Sequence, residues 1–433
     1  MGAWDLLATW FGAGVSIAEF WAGALLVPGV SLLTALVVNV VGHIIGNALM
    51  GLVAVEGFVV GVPTMVLTRR PLGVRGSYIP SALNYLQLIG WTAVMNVVGA
   101  RAIDEVLSAL GYPSNVQLWI VAVGALNTLW ALAGPRRWGW LEKVSAVLLI
   151  TLVAWLTAAT VSTAGGIDWG VGSGNLPPLL ALDLVVAMPV SWLPLVADYS
   201  RLCRGGAFWA TFVGYLASSS LFYFIGGYTN AYLGLADPIS IIATYGLGIP
   251  AMAIVVLSTT TTAFLDIYSA AVSFKNLKPS EPIDRQILVV GAAGTALALV
   301  FPVEEYEWFL LLIGGAFVPL AAIMITDYYL VTRGRYDVEE LLGGRAAPIR
   351  ASGITAWALG FTTYILTSTY TPWLGSTIPS LIATSTIYYT LSKLGREAPQ
   401  DLAPYKPYKA IQTQAREAKL TALNTTSSTD TKR

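Results

Sequence analysis

The sequence holds one cysteine and one histidine in 433 residues. Cys203 alone excludes an intramolecular disulfide and any cysteine-based metal cluster, and His43 alone leaves no histidine-rich site, so no metalloenzyme signature survives. Charge is scarce as well: Asp, Glu, Lys and Arg make up 11% of the chain, against about 25% in soluble domains. The 24 basic residues balance the 24 acidic ones, so net charge argues neither for nor against a nucleic-acid partner. What the chain has in abundance is apolar surface, 56% of its residues and a mean hydropathy of +0.68. That is the composition of an all-α polytopic membrane protein. The N-terminus runs almost directly into apolar sequence at Leu6, without the basic region and cleavage site of a signal peptide, so a retained first span is expected. MGAWDL lacks the serine or threonine of a myristoylation signal, and no lipid anchor is expected.

A span needs about 20 mostly apolar residues. Breaks marked by Pro, Gly and charge give twelve candidates, near 6–28, 31–62, 78–110, 116–134, 141–163, 179–200, 207–232, 248–274, 286–302, 307–331, 353–370 and 373–393. Alternate loops carry Arg69, Arg70 and Arg75; Arg136, Arg137 and Lys143; Arg201 and Arg204; Lys275, Lys278 and Arg285; then Arg333, Arg335, Arg345 and Arg350. The intervening loops carry neither lysine nor arginine. A wrong span count would mix the two sets, so the segregation supports twelve spans with both termini cytoplasmic, in a plasma membrane. Beyond the last span the chain turns polar and ends in TTSSTDTKR, which predicts a disordered tail over 396–433.

Ionisable side chains inside spans must face a bundle interior or a watery cavity. Glu56, Arg101, Asp104, Glu105 and Asp198 lie near span ends, where snorkelling or a structural ion pair accounts for them. Glu19 and Asp266 sit deeper. In VLSTTTTAFLDIYSAAVSF (256–274), Ser258, Thr262, Asp266, Ser269 and Ser273 recur at spacings of three and four, forming one polar helical stripe with Thr261 on its flank. The hydroxyls have a bland reading, bonding back to carbonyls of the preceding turn, but that leaves Asp266 without a partner. The sharper reading is a cation site, because hydroxyl and carbonyl oxygens suit a hard ion and backbone carbonyls become available where a helix is interrupted.

Two spans carry interruptions. WFGAGVSIAEF (10–20) sets Gly12 and Gly14 beside Ser16 and Glu19, and MPVSWLPLVADYS (188–200) sets Pro189 and Pro194 around Ser191 and Trp192. Glycine is also common where membrane helices approach closely; two prolines make the stronger claim to a break. These are the first and sixth spans, and broken helices at matching positions of two halves point to an inverted-repeat transporter with its site at the midplane. Trp91, in LQLIGWTAVMN, and Trp192 lie inside spans beside glycine or proline, where they either sandwich a planar ligand or fill the bundle. Gln87 and Asn96 flank Trp91 as hydrogen-bonding groups for a ligand or as bridges between helices.

These stretches, together with RRPLGVRGSYIPS (69–81) and VPLAAIMITDYYLV (318–331), resemble in order and spacing the nucleobase-cation-symport-1 transporters. The match is closest to the branch labelled as hydroxymethylpyrimidine transporters, beside cytosine permeases. The resemblance implies the leucine-transporter fold: a first repeat over 1–163, an inverted second over 164–335, two further spans over 336–395, and discontinuous first and sixth helices. It implies a sodium site made of carbonyls at Gly12, Val15 and Ser258 and hydroxyls of Thr261 and Thr262. It implies that Trp91 stacks on the substrate ring. A glutamine of some relatives is Met95 here, and Pro189 stands where relatives carry a second aromatic, with Trp192 one turn further on. Asp266 takes the place of asparagines in some relatives, and its role is to accept from an exocyclic amine and ring nitrogen.

The expected function is therefore secondary active transport: Na⁺ symport of hydroxymethylpyrimidine, cytosine or a similar ring by alternating access. Ser16, Glu19, Gln87, Trp91, Met95, Asn96, Pro189, Trp192 and Asp266 are expected around the substrate. The partners are the ring, the coupling cation and the lipid bilayer, with no nucleic acid and no covalent cofactor, in a protein working as a monomer. The rivals are a proton-coupled purine, hydantoin or allantoin permease of the same fold, a channel, and, more distantly, an integral membrane enzyme.

Overall fold

Where no water is available, backbone amides and carbonyls must pair within their own segment, and long apolar runs become helices. The computed structural model describes residues 1–134, 139–164, 166–172, 174–235, 237–244, 248–300, 306–343 and 347–395, and among these residues it contains no strand. The tail over 396–433 and the arginines at 136, 137 and 345 lie outside the described residues.

The helices run in chain order as α1 (Ala3–Gly14), α2 (Ile17–Leu26), α3 (Leu32–Val60), α4 (Thr64–Leu67), α5 (Arg69–Leu72), α6 (Tyr78–Ala109), α7 (Val116–Leu132), α8 (Gly139–Ala164), α9 (Pro178–Trp192), α10 (Val196–Ser200), α11 (Ala207–Leu233), α12 (Pro238–Thr244), α13 (Gly248–Leu277), α14 (Ile283–Ala298), α15 (Tyr306–Ile325), α16 (Val338–Gly343), α17 (Ala351–Tyr370) and α18 (Thr377–Leu394). Among the described residues, seven helical segments are long and apolar enough to cross a membrane by length and composition. Within the described residues each segment predicted from the sequence overlaps a helix, the first as the pair α1 and α2 and the sixth as α9 and α10.

The first interruption is real and short. Val15 (φ −85°, ψ 78°) and Ser16 (φ −140°, ψ 147°) leave helical geometry between α1 and α2. Of the two glycines before it, Gly12 has open space, since an added Cβ would meet nothing within 4 Å, whereas Gly14 serves close packing on α11, where a Cβ would lie 2.3 Å from Ser218 Oγ. Further along, glycines also serve contact: a Cβ on Gly23 would lie 2.0 Å from the Tyr223 carbonyl oxygen, and one on Gly226 1.9 Å from that of Phe20. The backbones of α2 and α11 therefore touch.

The sixth span departs from expectation. Pro189 does not break α9, which continues to Trp192. Its ring fills the space left by Gly46 of α3, where an added Cβ would sit 2.3 Å from Pro189 Cγ. The irregularity is a 3₁₀ turn, Leu193–Leu195, followed by α10. Pro194 lies at its start, where a missing amide costs no hydrogen bond.

Packing sorts the helices into two groups. α1 and α2 lie along α11, α11 along α3, and α3 along α9. On the other side α6 lies along α7, α13 and α14. The lower part of the α13 stripe is glue for this second group: Asn84 donates to Ser273 Oγ at 2.7 Å, and Asn276 donates to Ser77 and Ser81, each at 2.9 Å. The motif 69–81 joins in, with Arg69 Nε donating to Asn276 Oδ1 at 2.8 Å.

Candidate functional site

The interruption in the first span ends α1 at the seam between the two groups. The last carbonyls of a helix have no partner further along their own helix; here the Val15 amide is shared between the Phe11 and Gly12 carbonyls, at 3.1 and 3.2 Å. The negative end of the α1 dipole thus lies inside the bundle, a placement that favours a cation. Ser16 caps α2, its Oγ accepting from the Ala18 amide at 3.2 Å, and Glu19 lies in the first turn of α2.

Helix α13 brings Thr262 to the cavity at this seam. Thr261 and Thr262 both donate to the Ser258 carbonyl, at 2.8 and 3.2 Å. Back-bonding and a cation site are compatible here, because a hydroxyl that gives its proton to a carbonyl keeps oxygen lone pairs to offer an ion. Ser145 of α8 approaches Thr261, hydroxyl to hydroxyl at 3.4 Å, an oxygen the sequence reading did not include.

One cavity brings seven of the predicted residues together, six of those expected around the ring and, of those expected around the cation, Thr262. Ala13, Ser16, Ala18, Glu19, Trp91, Met95, Met188, Trp192, Thr262 and Asp266 line it, so α1, α2, α6, α9 and α13 all contribute. Asp266 is 2% exposed, and its Oδ2 has no hydrogen-bond partner. Glu19, equally buried, accepts from Tyr215 through Oε1 and from Ser219 through Oε2, the latter at 2.8 Å. Trp192 is held by donation from its Nε1 to the same Tyr215 hydroxyl at 2.8 Å, and by an edge contact with Trp10 at 6.2 Å. The edge of Phe309 meets Trp91 at 5.3 Å between ring centroids. The free space is about 10 Å³, room for about one water molecule. The cavity is too small for a ring, which enters only if side chains of the lining move.

Three residues expected around the ring lie elsewhere. Asn96 bridges helices, donating to Thr295 at 3.4 Å and accepting from Asn127 at 2.8 Å. Pro189 faces α3, not the cavity. Gln87 is off the lining too; its amide donates to Asn84 Oδ1 at 2.7 Å and to the Ser191 carbonyl at 2.8 Å, which fixes α6 against the residue preceding Trp192. Near the span ends, Asp104 accepts from Ser114 and from the Asn115 amide, and Asp198 from the Thr64 amide, as structural roles require. Glu56 differs: it is 0% exposed and neither carboxyl oxygen has a hydrogen-bond partner.

A larger groove of about 460 Å³ lies between α6, α7 and α13, lined by apolar residues such as Ile103, Val106, Trp130 and Met252, with Thr260 as its polar member. It offers no convergent polar groups, and the chemistry resides in the smaller cavity.

Residues 1–347 match the sequence model of a family described as permease for cytosine/purines, uracil, thiamine, allantoin. The chain belongs to this family, the nucleobase-cation-symport-1 transporters. A hydantoin permease of Microbacterium maritypicum is 26% identical over 369 residues, covering 79% of this chain and 75% of that one. The cytosine permease of Escherichia coli strain K12 is 27% identical over 348 residues, covering 79% and 81%. Among solved structures, the nucleobase-cation-symport-1 transporter Mhp1, closed with bromovinylhydantoin bound, superposes with a TM-score of 0.82 at 21% identity over 93% of this chain and 94% of that one. The fold is shared. This nucleobase-cation-symport-1 chain is a multi-pass membrane transporter and not an enzyme.

Replacing Trp91 by alanine in this transporter is expected to weaken binding of a flat heterocycle by about ten- to a hundredfold, since stacking on an aromatic side chain is worth roughly 1–3 kcal/mol per base. Equilibrium binding to purified protein measures it, and an unchanged affinity would put the ring elsewhere.

Proposed function

We propose that the protein is a Na⁺-driven symporter of an aminopyrimidine, with hydroxymethylpyrimidine or cytosine as its cargo. The observation that carries this reading is the convergence of two carboxyl groups and two indoles on one cavity whose wall also includes Thr262. Carboxylates accept hydrogen bonds, so the complementary ring edge donates them: an exocyclic amine or a ring N–H. The amides that would serve carbonyl-rich rings are engaged elsewhere, Gln87 with Asn84 and Ser191 and Asn96 with Thr295 and Asn127. Met95 supplies no donor.

The cation sits where α1 ends, held by carbonyls of Gly12, Val15 and Ser258 and hydroxyls of Thr261 and Thr262, with the ring beside it. Twelve spans in a five-plus-five inverted arrangement, with both termini cytoplasmic in the plasma membrane, carry the two groups of helices that rock against each other. A single chain suffices, because every proposed contact comes from one copy. One Na⁺ moving inward gains about 2.3 kcal/mol per 100 mV, equivalent to about a fiftyfold concentration ratio of cargo.

The test is binding of cytosine, hydroxymethylpyrimidine and hydantoin to the purified transporter, in NaCl and in choline chloride. Aminopyrimidine affinity is expected to rise at least about tenfold with Na⁺, and cytosine to raise Na⁺ affinity by the same factor. Binding that ignores Na⁺ and follows pH instead would replace the cation with a proton.

A further inference from the structure

Glu19 is one end of a buried hydrogen-bonded chain whose other end is the only histidine of the sequence. His43, on α3, is 0% exposed. Its Nδ1 lies 2.9 Å from the Asn39 carbonyl and its Nε2 2.5 Å from Ser219 Oγ, while Ser219 Oγ lies 2.8 Å from Glu19 Oε2. These three contacts need three protons. A carbonyl oxygen never donates, so Nδ1 carries the first. The hydroxyl of Ser219 supplies one more, to Nε2 or to Oε2 but not to both. The third resides either on Nε2, giving an imidazolium beside a carboxylate, or on Oε2, giving a neutral imidazole beside a carboxylic acid. A neutral imidazole with an ionised carboxylate leaves one contact as lone pair against lone pair.

We infer that His43, Ser219 and Glu19 form a proton-binding site that holds one proton shared between the imidazole and the carboxyl group, and that a ring donating N–H in the cavity draws it toward His43. The second clause rests on the substrate site proposed above; the first does not. With the cavity this small, the neutral arrangement prevails, because two charges in a dry interior carry a larger desolvation cost than none. As an acid, Glu19 aims its O–H at Ser219. As a carboxylate, it accepts from Tyr215 and Ser219 and keeps lone pairs for the cavity. A donating ring stabilises the second form: Oε2 passes its proton to Ser219 Oγ as the hydroxyl passes its own to Nε2, with no exchange with solvent. The other titratable groups facing the chain are Tyr215 and Tyr223 of α11, the latter edge-on to His43 at 4.9 Å, and Asp266 across the cavity. Sodium is no party to this transfer.

Because the sequence has one histidine, ¹⁵N-histidine labelling of the full chain in nanodiscs reports this ring without assignment. Without added heterocycle at neutral pH, the expected ring is neutral with its proton on Nδ1, accompanied by a protonated-carboxyl infrared band that Glu19→Gln removes. Saturating cytosine is expected to protonate both ring nitrogens and abolish that band. In Glu19→Gln, whose amide N–H donates to Ser219, the ring should stay neutral with and without cytosine. Ser219→Ala should uncouple the ring from cytosine while cytosine still binds. A neutral ring protonated on Nε2, or a neutral ring with no protonated carboxyl at Glu19, would overturn the proton site. Cytosine bound with the histidine spectrum unmoved would overturn the transfer. Should neither cytosine nor hydroxymethylpyrimidine bind, the substrate proposal and the transfer built on it fail together, and the spectrum without heterocycle decides the proton site by itself.

Discussion

Asp266→Asn is expected to weaken aminopyrimidine binding by about ten- to a hundredfold, the loss of one hydrogen bond to a charged acceptor at about 1.5–3 kcal/mol. The substitution is nearly isosteric, so packing of this 2% exposed side chain is preserved. What changes is chemistry: an amide offers one acceptor and one donor, and the donor opposes the amine of the ring. Oδ2 has no hydrogen-bond partner, so no protein contact masks the effect. Titration of cytosine at saturating Na⁺ measures it. Half-maximal Na⁺ should move little when ring occupancy is held fixed.

The mirror experiment is the double substitution Thr261→Ala/Thr262→Ala. It removes two of the five oxygens assigned to the ion, and half-maximal Na⁺ for cytosine binding is expected to rise by at least about tenfold, with cytosine affinity at saturating Na⁺ kept within about twofold. Both hydroxyls donate to the Ser258 carbonyl, so alanine also frees that carbonyl. Thr261→Ser/Thr262→Ser keeps the oxygens and should restore most of the Na⁺ response. If Asp266→Asn and the double alanine variant had equal, mild effects on both ligands, the pocket residues would have been misassigned.

Much of this architecture is legible in the sequence because membrane helices have few ways to satisfy their backbones. The apolar runs, the break before Ser16 and the depth of Glu19 and Asp266 follow from that constraint. The limits are equally physical. Periodicity placed Ser258 through Ser273 on one stripe but not what the stripe faces: Thr262 and Asp266 line the cavity, while Ser273 meets Asn84 as packing. A proline in a span reads as a break, yet Pro189 remains within α9, its ring packed against Gly46 of α3, a residue distant in sequence. Gln87 and Asn96 read as ligand groups because an amide inside a span must bond to something, and neighbouring helices supplied that something. The chain from His43 to Glu19 crosses three helices, α3, α11 and α2, so no single stretch reveals it. Its available signal was the serine run Ser218–Ser220 with Tyr215 in the middle of an apolar span.

The seam between the two groups of helices has a mechanical corollary. Glu19 and Trp192 belong to one body; Trp91, Thr262 and Asp266 belong to the other. Each body carries half of the socket. Under the rocking proposed above, parting the halves would open the whole grip at once, since neither jaw holds the full set of contacts.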